Sequence, residues 1–383
     1  MTWATEPLEI SSEKIFVRSL KESDFDSIAT AIHDPNGWSG RKWGIDTPDK
    51  IREMLRLQLE SQAKGECSPF VYFFGDEVVG ISRYLHIAPH RKTLEVGGTC
   101  VAPKWRRTFV NTEVKRLLFA HAFEKLEAVR VELRVDCLNY ASQMNVLRLG
   151  AVFEGKIRHW QVRKDGELPD GMLYSITNKD WPSAKERLDL LRSGQQPKAT
   201  SLPIELNTPR LKIRLNKLPD AQSLLELAQR NSKSLIESFP QIGALKSTED
   251  AQAYIAERAH WASADSAFYY GVWNKDTNCL VGQLLVKNIN WKVRSAELGY
   301  LLDSEYRGKG IGAEMASAGL DELFERQHFR RVSLRAIPTN DPSIRLAKKL
   351  GFNQEGVLHS EFMTGNGECV DNLLFSKVRN VVA

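Results

Sequence analysis

The sequence contains few cysteines, and none of them are spaced as metal-binding pairs. Its five cysteines are scattered over 383 residues without a CxxC motif. An odd, dispersed set of cysteines argues against a disulfide scaffold or a zinc ribbon and suits a reducing compartment. We therefore expect a cytoplasmic protein that holds no metal.

Long hydrophobic runs are also missing. No apolar stretch approaches the roughly 20 residues that span a bilayer, and residues 1–10 lack a basic stretch followed by an apolar one. No membrane association is expected. The net charge of +5 is mild for this length, and no repeated pattern of basic and aromatic residues indicates direct nucleic-acid binding.

One glycine-rich stretch stands out in the second half of the chain. It follows a strand-like run at residues 298–302 and precedes a run with helical spacing of apolar residues at 315–324. Glycines at the start of a helix leave backbone N–H groups free for an anion. The stretch therefore predicts a phosphate-binding loop, formed by Arg307, Gly308, Lys309, Gly310, Ile311, Gly312 and Ala313.

Two common nucleotide loops do not fit this stretch. A Walker loop requires GxxxxGK[ST], which the chain lacks, and a dinucleotide site expects an acidic residue near the end of the next strand. That strand, predicted at residues 332–336, offers none. A GxSxG nucleophile motif is absent as well.

The order of predicted elements occurs twice along the chain. Asn139-x-x-Ser142 ending in Leu-Gly-Ala parallels Asn340-x-x-Ser343 ending in Leu-Gly-Phe. We predict one mixed α/β (α+β-like) unit in tandem, at residues 1–182 and 207–383, joined by a polar linker at 183–206.

The RxxGxG loop, together with the later Asn/Ser helix, resembles the GNAT N-acetyltransferase superfamily. The closest branch is the RimJ/RimL type, and the resemblance extends over residues 8–181 and 208–378. It implies two GNAT folds in tandem. Each would be a central, mostly antiparallel, twisted sheet that is splayed at the CoA site and flanked by helices, and acetyl-CoA would be the co-substrate.

The resemblance also implies roles in the second copy. The pyrophosphate would bind the amides of the loop, and a strand amide at Leu301 or Leu302 would meet the thioester oxygen. Glu297 would act as the base through water, with a surface carboxylate as the alternative. The position of the family's tyrosine acid is Ala347 here, so Ser343 is the candidate acid or a simple helix-start hydroxyl. Asn340 would cap its helix and bind CoA.

The first copy departs from the glycine pattern. The resemblance places its cofactor contacts at Arg106, Arg107, Asn111, Thr112, Asn139 and Ser142. Phe109 and Asn111 stand where the second copy has Gly310 and Gly312, and a positive φ there would cost about 1–2 kcal/mol. Glu95 matches Glu297, although one additional residue separates it from its loop arginine.

The resemblance predicts acetyl transfer to a primary amine at a protein or peptide N-terminus. The amine would attack directly in a ternary complex, because no serine or cysteine is paired with a base. The alternatives are a small-molecule acceptor, such as an antibiotic, polyamine or amino acid, and a non-enzymatic CoA-binding regulator with a degenerate first copy. The chain would be a monomer with an internal pseudo-dimer, or a homodimer.

Overall fold

The computed structural model describes residues 3–37, 42–163, 166–195 and 202–379. The chain divides into two compact units, Met1–Pro197 and Lys198–Ala383. Each unit has its own eight-stranded mixed sheet with flanking helices. The prediction of two mixed α/β folds in tandem is therefore confirmed.

The first unit opens with two short strands and ends with a helix. Its strands and helices, in chain order, are β1 (Glu9–Ser11), β2 (Phe16–Ser19), α1 (Phe25–Ile32), α2 (Pro48–Ala63), β3 (Ser68–Phe74), β4 (Glu77–Ala88), β5 (Thr93–Val101), α3 (Val110–Ala120), β6 (Arg130–Asp136), α4 (Tyr140–Arg148), β7 (Val152–Ile157), β8 (Gly171–Thr177) and α5 (Trp181–Arg192).

The second unit repeats this order as far as its last two strands, with two additional short helices before its long helix and no final helix among the described residues. Its elements are β9 (Glu205–Asn207), β10 (Leu211–Leu215), α6 (Ala221–Arg230), α7 (Ser232–Ser238), α8 (Pro240–Gly243), α9 (Thr248–Ser263), β11 (Phe268–Asn274), β12 (Leu280–Asn290), β13 (Ser295–Leu302), α10 (Ile311–Asp321), β14 (Arg331–Ala336), α11 (Asp341–Lys349), β15 (Asn353–Met363) and β16 (Cys369–Val378).

Local sequence signals start several of these helices. Ser247 and Asp250 form a capping box at the start of α9, which satisfies backbone N–H groups that the helix cannot pair internally. In both units an asparagine side chain caps the helix that follows the sixth strand, α4 in the first unit and α11 in the second. Asn139 and Asn340 each accept a hydrogen bond of 3.2 Å, from the N–H groups of Ser142 and Ser343.

Both sheets are antiparallel apart from one short parallel pairing. In the first unit, β5 pairs with β6 over residues 93–95 alone. In the second unit, β13 pairs with β14 over residues 295–297 alone. Beyond these three residue pairs the strands separate, so each sheet is splayed along the second half of β5 or β13.

An apolar core lies beneath the central strands of each unit. Tyr84 and Phe119 are fully buried between β4 and α3, and Leu284 and Met315 are fully buried between β12 and α10. Burying one such side chain contributes about 1.5–3 kcal/mol. This packing holds the starts of α3 and α10, and hence the loops before them, against the splayed strands.

The segment predicted as a linker, residues 183–206, contains regular structure at both ends. Its first part belongs to α5, whose Leu188 is fully buried in the core of the first unit. Its last two residues belong to β9, which pairs with β10 of the second unit. Residues 196–201, in its middle, lie outside the described residues.

Within the described ranges, no helix is long and apolar enough to cross a membrane. The same residues contain no group of three or more His, Cys, Asp or Glu side chains placed to hold a metal ion.

Candidate active site

The glycine loop of the second unit is a tight turn that leads into α10. Gly308 and Gly310 have φ angles of 74° and 78°, a left-handed conformation that costs a residue with a β-carbon about 1–2 kcal/mol. Gly310 caps α10, whose first internal bond is donated by the Glu314 N–H to the Gly310 oxygen. The backbone N–H groups of residues 308–313 have no protein acceptor in the described part of the chain.

The N–H groups of this turn suit an anion for two reasons. They are unpaired donors, and they lie at the positive end of the helix dipole. Gly312 lies within the helix and needs no unusual φ angle. Ile311 is buried, so its side chain belongs to the core, and its backbone is the part that faces the turn.

Positive side chains surround this turn. The Arg307 guanidinium donates to the Leu302 oxygen at 3.3 Å and to the Ser234 hydroxyl at 3.4 Å. Among the described residues it has no carboxylate partner. Its charge therefore remains available to a ligand. Lys309 lies over the Tyr306 ring, 5.5 Å from the ring centroid.

A further arginine, which no local sequence pattern marks, holds the turn in place. Arg210, just before β10, donates to the Lys309 oxygen at 2.9 Å and to the Glu314 carboxylate at 2.6 Å. Burial acts to raise the pKa of Glu314, but hydrogen bonds from Thr208 and Arg210 hold it below the usual value. Glu314 is thus an anion that ties β10 to the start of α10.

Strand direction distinguishes the two candidate amides on β13. The Asp303 N–H donates to the oxygen of Val281, a residue of β12, at 2.8 Å. Since N–H groups alternate sides along a strand, that of Leu301 also faces β12. Leu302 faces the opposite side, where its oxygen accepts from Arg307. The Leu302 N–H is therefore the one directed into the splayed gap.

Glu297 is buried and held by three neighbours. Its carboxylate lies 3.0 Å from the Lys287 ammonium, accepts from the Asn288 amide at 2.9 Å, and lies 3.6 Å from the Arg335 guanidinium. It sits at the last residue of the parallel pairing, opposite Ser333. Glu297 is thus at the edge of the splayed gap, rather than an exposed carboxylate on the surface of a strand.

Ser343 has a partner that the sequence analysis did not identify. The Tyr300 hydroxyl, from β13, lies 3.3 Å from the Ser343 hydroxyl at the start of α11. Burial raises the pKa of Tyr300, although the hydrogen bond with Ser343 opposes this effect. Ala347, where the family's tyrosine would stand, is fully buried. A phenol is therefore present near α11, but it is supplied by the strand.

The loop of the first unit follows a different path. Arg107, which aligns with Gly308, also has a positive φ, at 61°. Phe109, which aligns with Gly310, has an ordinary helical φ of −66°. Asn111 lies within α3, so the strain considered for Phe109 and Asn111 does not arise. The Phe109 ring instead packs near Phe74 and Trp105, with centroid distances of 5.6 and 6.1 Å.

The polar groups of this first loop already have partners. The Arg106 guanidinium pairs with the Asp34 carboxylate, and this bond lowers the pKa of Asp34. The Thr108 hydroxyl accepts from the Val110 N–H at 3.3 Å. Thr112 accepts from Arg148 at 3.0 Å. The first loop is less available to an anion than the second.

Glu95 occupies the same place in its sheet as Glu297. It is the last residue of the parallel pairing, opposite Glu132, and it is bound by His86 at 2.8 Å. The additional residue before Arg106 is taken up by a bulge at Gly98 and Thr99, opposite Ser82. The register difference seen in the sequence therefore does not displace Glu95.

Comparison with known proteins agrees with this geometry. A family model described as an acetyltransferase (GNAT) domain matches residues 14–152 and 210–353. YnaD, an uncharacterized N-acetyltransferase of Bacillus subtilis, is 26% identical over 163 residues, which are 43% of this chain and 91% of the relative. The [ribosomal protein uS5]-alanine N-acetyltransferase of Escherichia coli is 28% identical over 110 residues, 28% of this chain and 56% of the relative.

The spermidine N(1)-acetyltransferase of Vibrio cholerae is 30% identical over 92 residues, 24% of this chain and 53% of that relative. The two segments matched by the family model together cover well over half of the chain, and both include the splayed strands and the loop described above. The chain therefore belongs to the GNAT acetyltransferases, in two copies, and is an N-acetyltransferase that takes its acetyl group from acetyl-CoA.

Proposed function

We propose that the second unit acetylates the primary amine at a protein or peptide N-terminus by direct attack on acetyl-CoA. The observation that carries this proposal is the turn at residues 308–313. Its N–H groups have no protein acceptor in the described chain, and Arg307 beside it has no carboxylate partner there. These features suit the diphosphate of CoA, because unpaired N–H groups at a helix start favour an anion.

The splayed gap next to the turn would receive the thioester arm. The Leu302 N–H would stabilise the oxyanion that forms on attack, as fixed backbone donors do in acyl transfer. The amine nucleophile is mostly protonated at neutral pH, so it must first lose a proton. Glu297, at the edge of the gap, would accept that proton through water.

The departing thiolate would take a proton from the pair of Tyr300 and Ser343. Their hydroxyls lie 3.3 Å apart beside the gap, so a proton given up by one can be replaced through the other. The sulfur leaves as a thiol, and the acceptor leaves as an amide. The proposed roles of Arg307, Asn340 and the loop amides are to bind and orient the co-substrate.

The peptide acceptor is favoured by the similarity to the uS5-alanine N-acetyltransferase of Escherichia coli. The similarity to a spermidine N(1)-acetyltransferase supports a polyamine as the second candidate. Both similarities cover about half of the relative's length, and the one to the uS5-alanine enzyme extends over the longer segment, 110 residues against 92.

An acceptor panel tests the proposal. The full chain is incubated with acetyl-CoA and with Ala- or Ser-starting peptides, spermidine or free amino acids, and thiol release is followed. We expect turnover with peptides and none with the same peptides blocked at the N-terminus. Turnover with spermidine alone would replace the peptide assignment with the polyamine one, and no thiol release with any amine would overturn the proposal.

A further inference from the structure

The first unit contains a buried lysine that is bonded to the splayed half of β5. Lys115, on α3, is 3% exposed, and its ammonium donates to the Thr99 hydroxyl at 2.6 Å. Thr99 is exposed at the bulge of β5, and its hydroxyl lies 2.9 Å from that of Ser82. Lys115 therefore reaches the second half of β5, the part of that strand that no longer pairs with β6.

Among the residues that the structure describes, this lysine has no carboxylate partner. No Asp or Glu of the described chain lies within ion-pair distance of its ammonium, and Thr99 is its single hydrogen-bond acceptor there. Burying an ammonium group without a partner is costly. A lysine that serves packing alone would be replaced at lower cost by a methionine or a leucine.

The second unit has a different pair of residues at the same places. Counting from the loop arginines, Lys115 corresponds to Ala316 and Thr99 corresponds to Tyr300. In the second unit the strand position carries the polar group, the Tyr300 hydroxyl, and the helix position is the small Ala316. In the first unit the helix position carries it, the Lys115 ammonium, and the strand position is the small Thr99. Each unit thus has a proton-bearing side chain that belongs to its splayed strand or contacts it.

We propose that the first unit is a second acetyl-transfer site, in which Lys115 gives a proton to the departing thiolate in place of Tyr300. This inference rests on the proposed function, since it assigns the same reaction to the other gap. It does not require the second unit to be active.

The proton balance of this step is simple. The neutral acceptor amine attacks the thioester carbon and forms a C–N bond, the C–S bond breaks, and the electron pair of that bond goes to sulfur. The new amide nitrogen releases its extra proton to water. The Lys115 ammonium then gives one proton to sulfur, so that a thiol leaves and the amine of Lys115 is neutral. A proton from water restores the ammonium through the exposed side of Thr99.

The surroundings of Lys115 favour this role. Burial lowers the pKa of Lys115 to about 7, although the charge of Glu95 opposes the effect. An ammonium with such a pKa gives up its proton far more readily than an exposed lysine. On the neighbouring turns of α3, Glu113 and Arg116 are already paired with Arg192 and Asp189 of α5.

The first test needs no co-substrate. The full chain is labelled with ¹⁵N-lysine, and the side-chain signals are titrated by NMR, with Lys115→Met used for assignment. We expect one lysine signal to titrate near pH 7 and to be missing from the Lys115→Met spectrum. A Lys115 that remains charged above pH 9 would overturn the proposal.

The second test isolates the first gap within the full chain. Gly310→Phe blocks the loop of the second unit, and thiol release is then measured with and without Lys115→Met or Lys115→Arg. We expect both lysine variants to lose about 10²–10⁴-fold in rate, while calorimetry shows that CoA still binds. Arginine keeps the charge but does not release its proton, so a rate rescued by Lys115→Arg would overturn the proposal.

Three further outcomes separate the possible failures. If the Gly310→Phe chain binds no CoA, the first unit has no CoA site and the proposal for Lys115 is overturned. The proposed function of the second unit is tested separately, by thiol release from the unmodified chain. Mass spectrometry that finds Lys115 itself acetylated would make it an acceptor and overturn its role as donor. If circular dichroism shows that the Lys115→Met chain is unfolded, the NMR titration of the unmodified chain tests whether Lys115 can give up its proton near pH 7.

Discussion

The hydroxyl groups of Tyr300 and Ser343 lie 3.3 Å apart, although the two residues are 43 positions apart in the chain. This contact joins β13 to the start of α11, beside the gap between the splayed strands. If the pair protonates the thiolate, Tyr300→Phe should lower kcat by about 10²–10⁴-fold with little change in the KM for acetyl-CoA. Any rate contributed by the first unit sets the upper limit of the loss that can be observed.

Tyr306→Phe is the matched control for that variant. Tyr306 precedes the loop, and its hydroxyl has no hydrogen-bond partner in the described chain, so its loss should leave kcat unchanged. Equal rates for Tyr300→Phe and the unmodified chain, measured by thiol release, would exclude Tyr300 as the proton donor.

Replacing Gly310 should weaken CoA binding. Its φ of 78° is unfavourable for alanine, so Gly310→Ala should cost about 1–2 kcal/mol in the native turn and reduce affinity as the turn changes shape. Calorimetry measures this loss. In the control, Gly312→Ala, the new methyl group lies within α10 and meets Leu346 at 3.4 Å. We expect the control to be neutral or slightly stabilising, and equal effects of the two variants would contradict the prediction.

Asp34→Asn should raise the affinity of the first unit for CoA. The Asp34 carboxylate pairs with the Arg106 guanidinium, and the substitution removes the negative charge that competes with the ligand for this group. We expect up to about a five-fold gain in affinity, since partly exposed ion pairs are worth about 0.2–1 kcal/mol. Asp49→Asn, which loses the exposed pair with Arg52, should not change the affinity. Unchanged binding by Asp34→Asn would show that Arg106 does not contact the ligand.

Glu297→Gln should reduce turnover of the second unit by about 10²–10⁴-fold if the carboxylate accepts the amine proton. The variant also removes the charge that faces Lys287 and Arg335, so the melting temperature is measured alongside kcat. A lower melting temperature with normal turnover would indicate a purely structural role for Glu297.

Stability should depend on Glu355 in a defined pH range. The bond from Arg331, assisted by Ser376, lowers the pKa of Glu355 from 4.5 to about 2. A lowered pKa stabilises the fold above the unfolded value, and that contribution is lost as pH falls from about 4.5 towards 2. Glu355→Gln should therefore destabilise the second unit at pH 7 but hardly at pH 2.

The size of this effect is small, because Glu355 is 37% exposed and such pairs contribute at most about 1 kcal/mol. Denaturant midpoints measured at several pH values would show it. Glu368→Gln, at an exposed site in the turn of the same hairpin, should shift the midpoint equally little at every pH. A difference that persists at pH 2 would contradict the assignment.

The sequence predicted those parts of the site that lie close together in the chain. The loop at residues 307–313 and the Asn340 cap were found because short spacing rules govern turns and helix starts. The tandem organisation was found because the same order of elements recurs. These features depend on neighbours within a few residues, which a single sequence displays.

Contacts between distant residues were missed. Arg210 meets the Lys309 oxygen across 99 positions, and Tyr300 meets Ser343 across 43, so no local pattern marks either pair. The bulge at Gly98 and Thr99 likewise became visible only once β4 and β5 were paired. Without that pairing, the position of Glu95 relative to Glu297 could not be judged from residue counts.

The duplication of the fold has a consequence for how this enzyme can change over evolutionary time. In a homodimer, one gene encodes both subunits, so every substitution appears in each of them. Here the two copies are encoded separately within one chain, and Lys115 can arise in one while Ala316 stays in the other. A single reading frame can thus maintain two different versions of the same GNAT domain at a fixed one-to-one ratio.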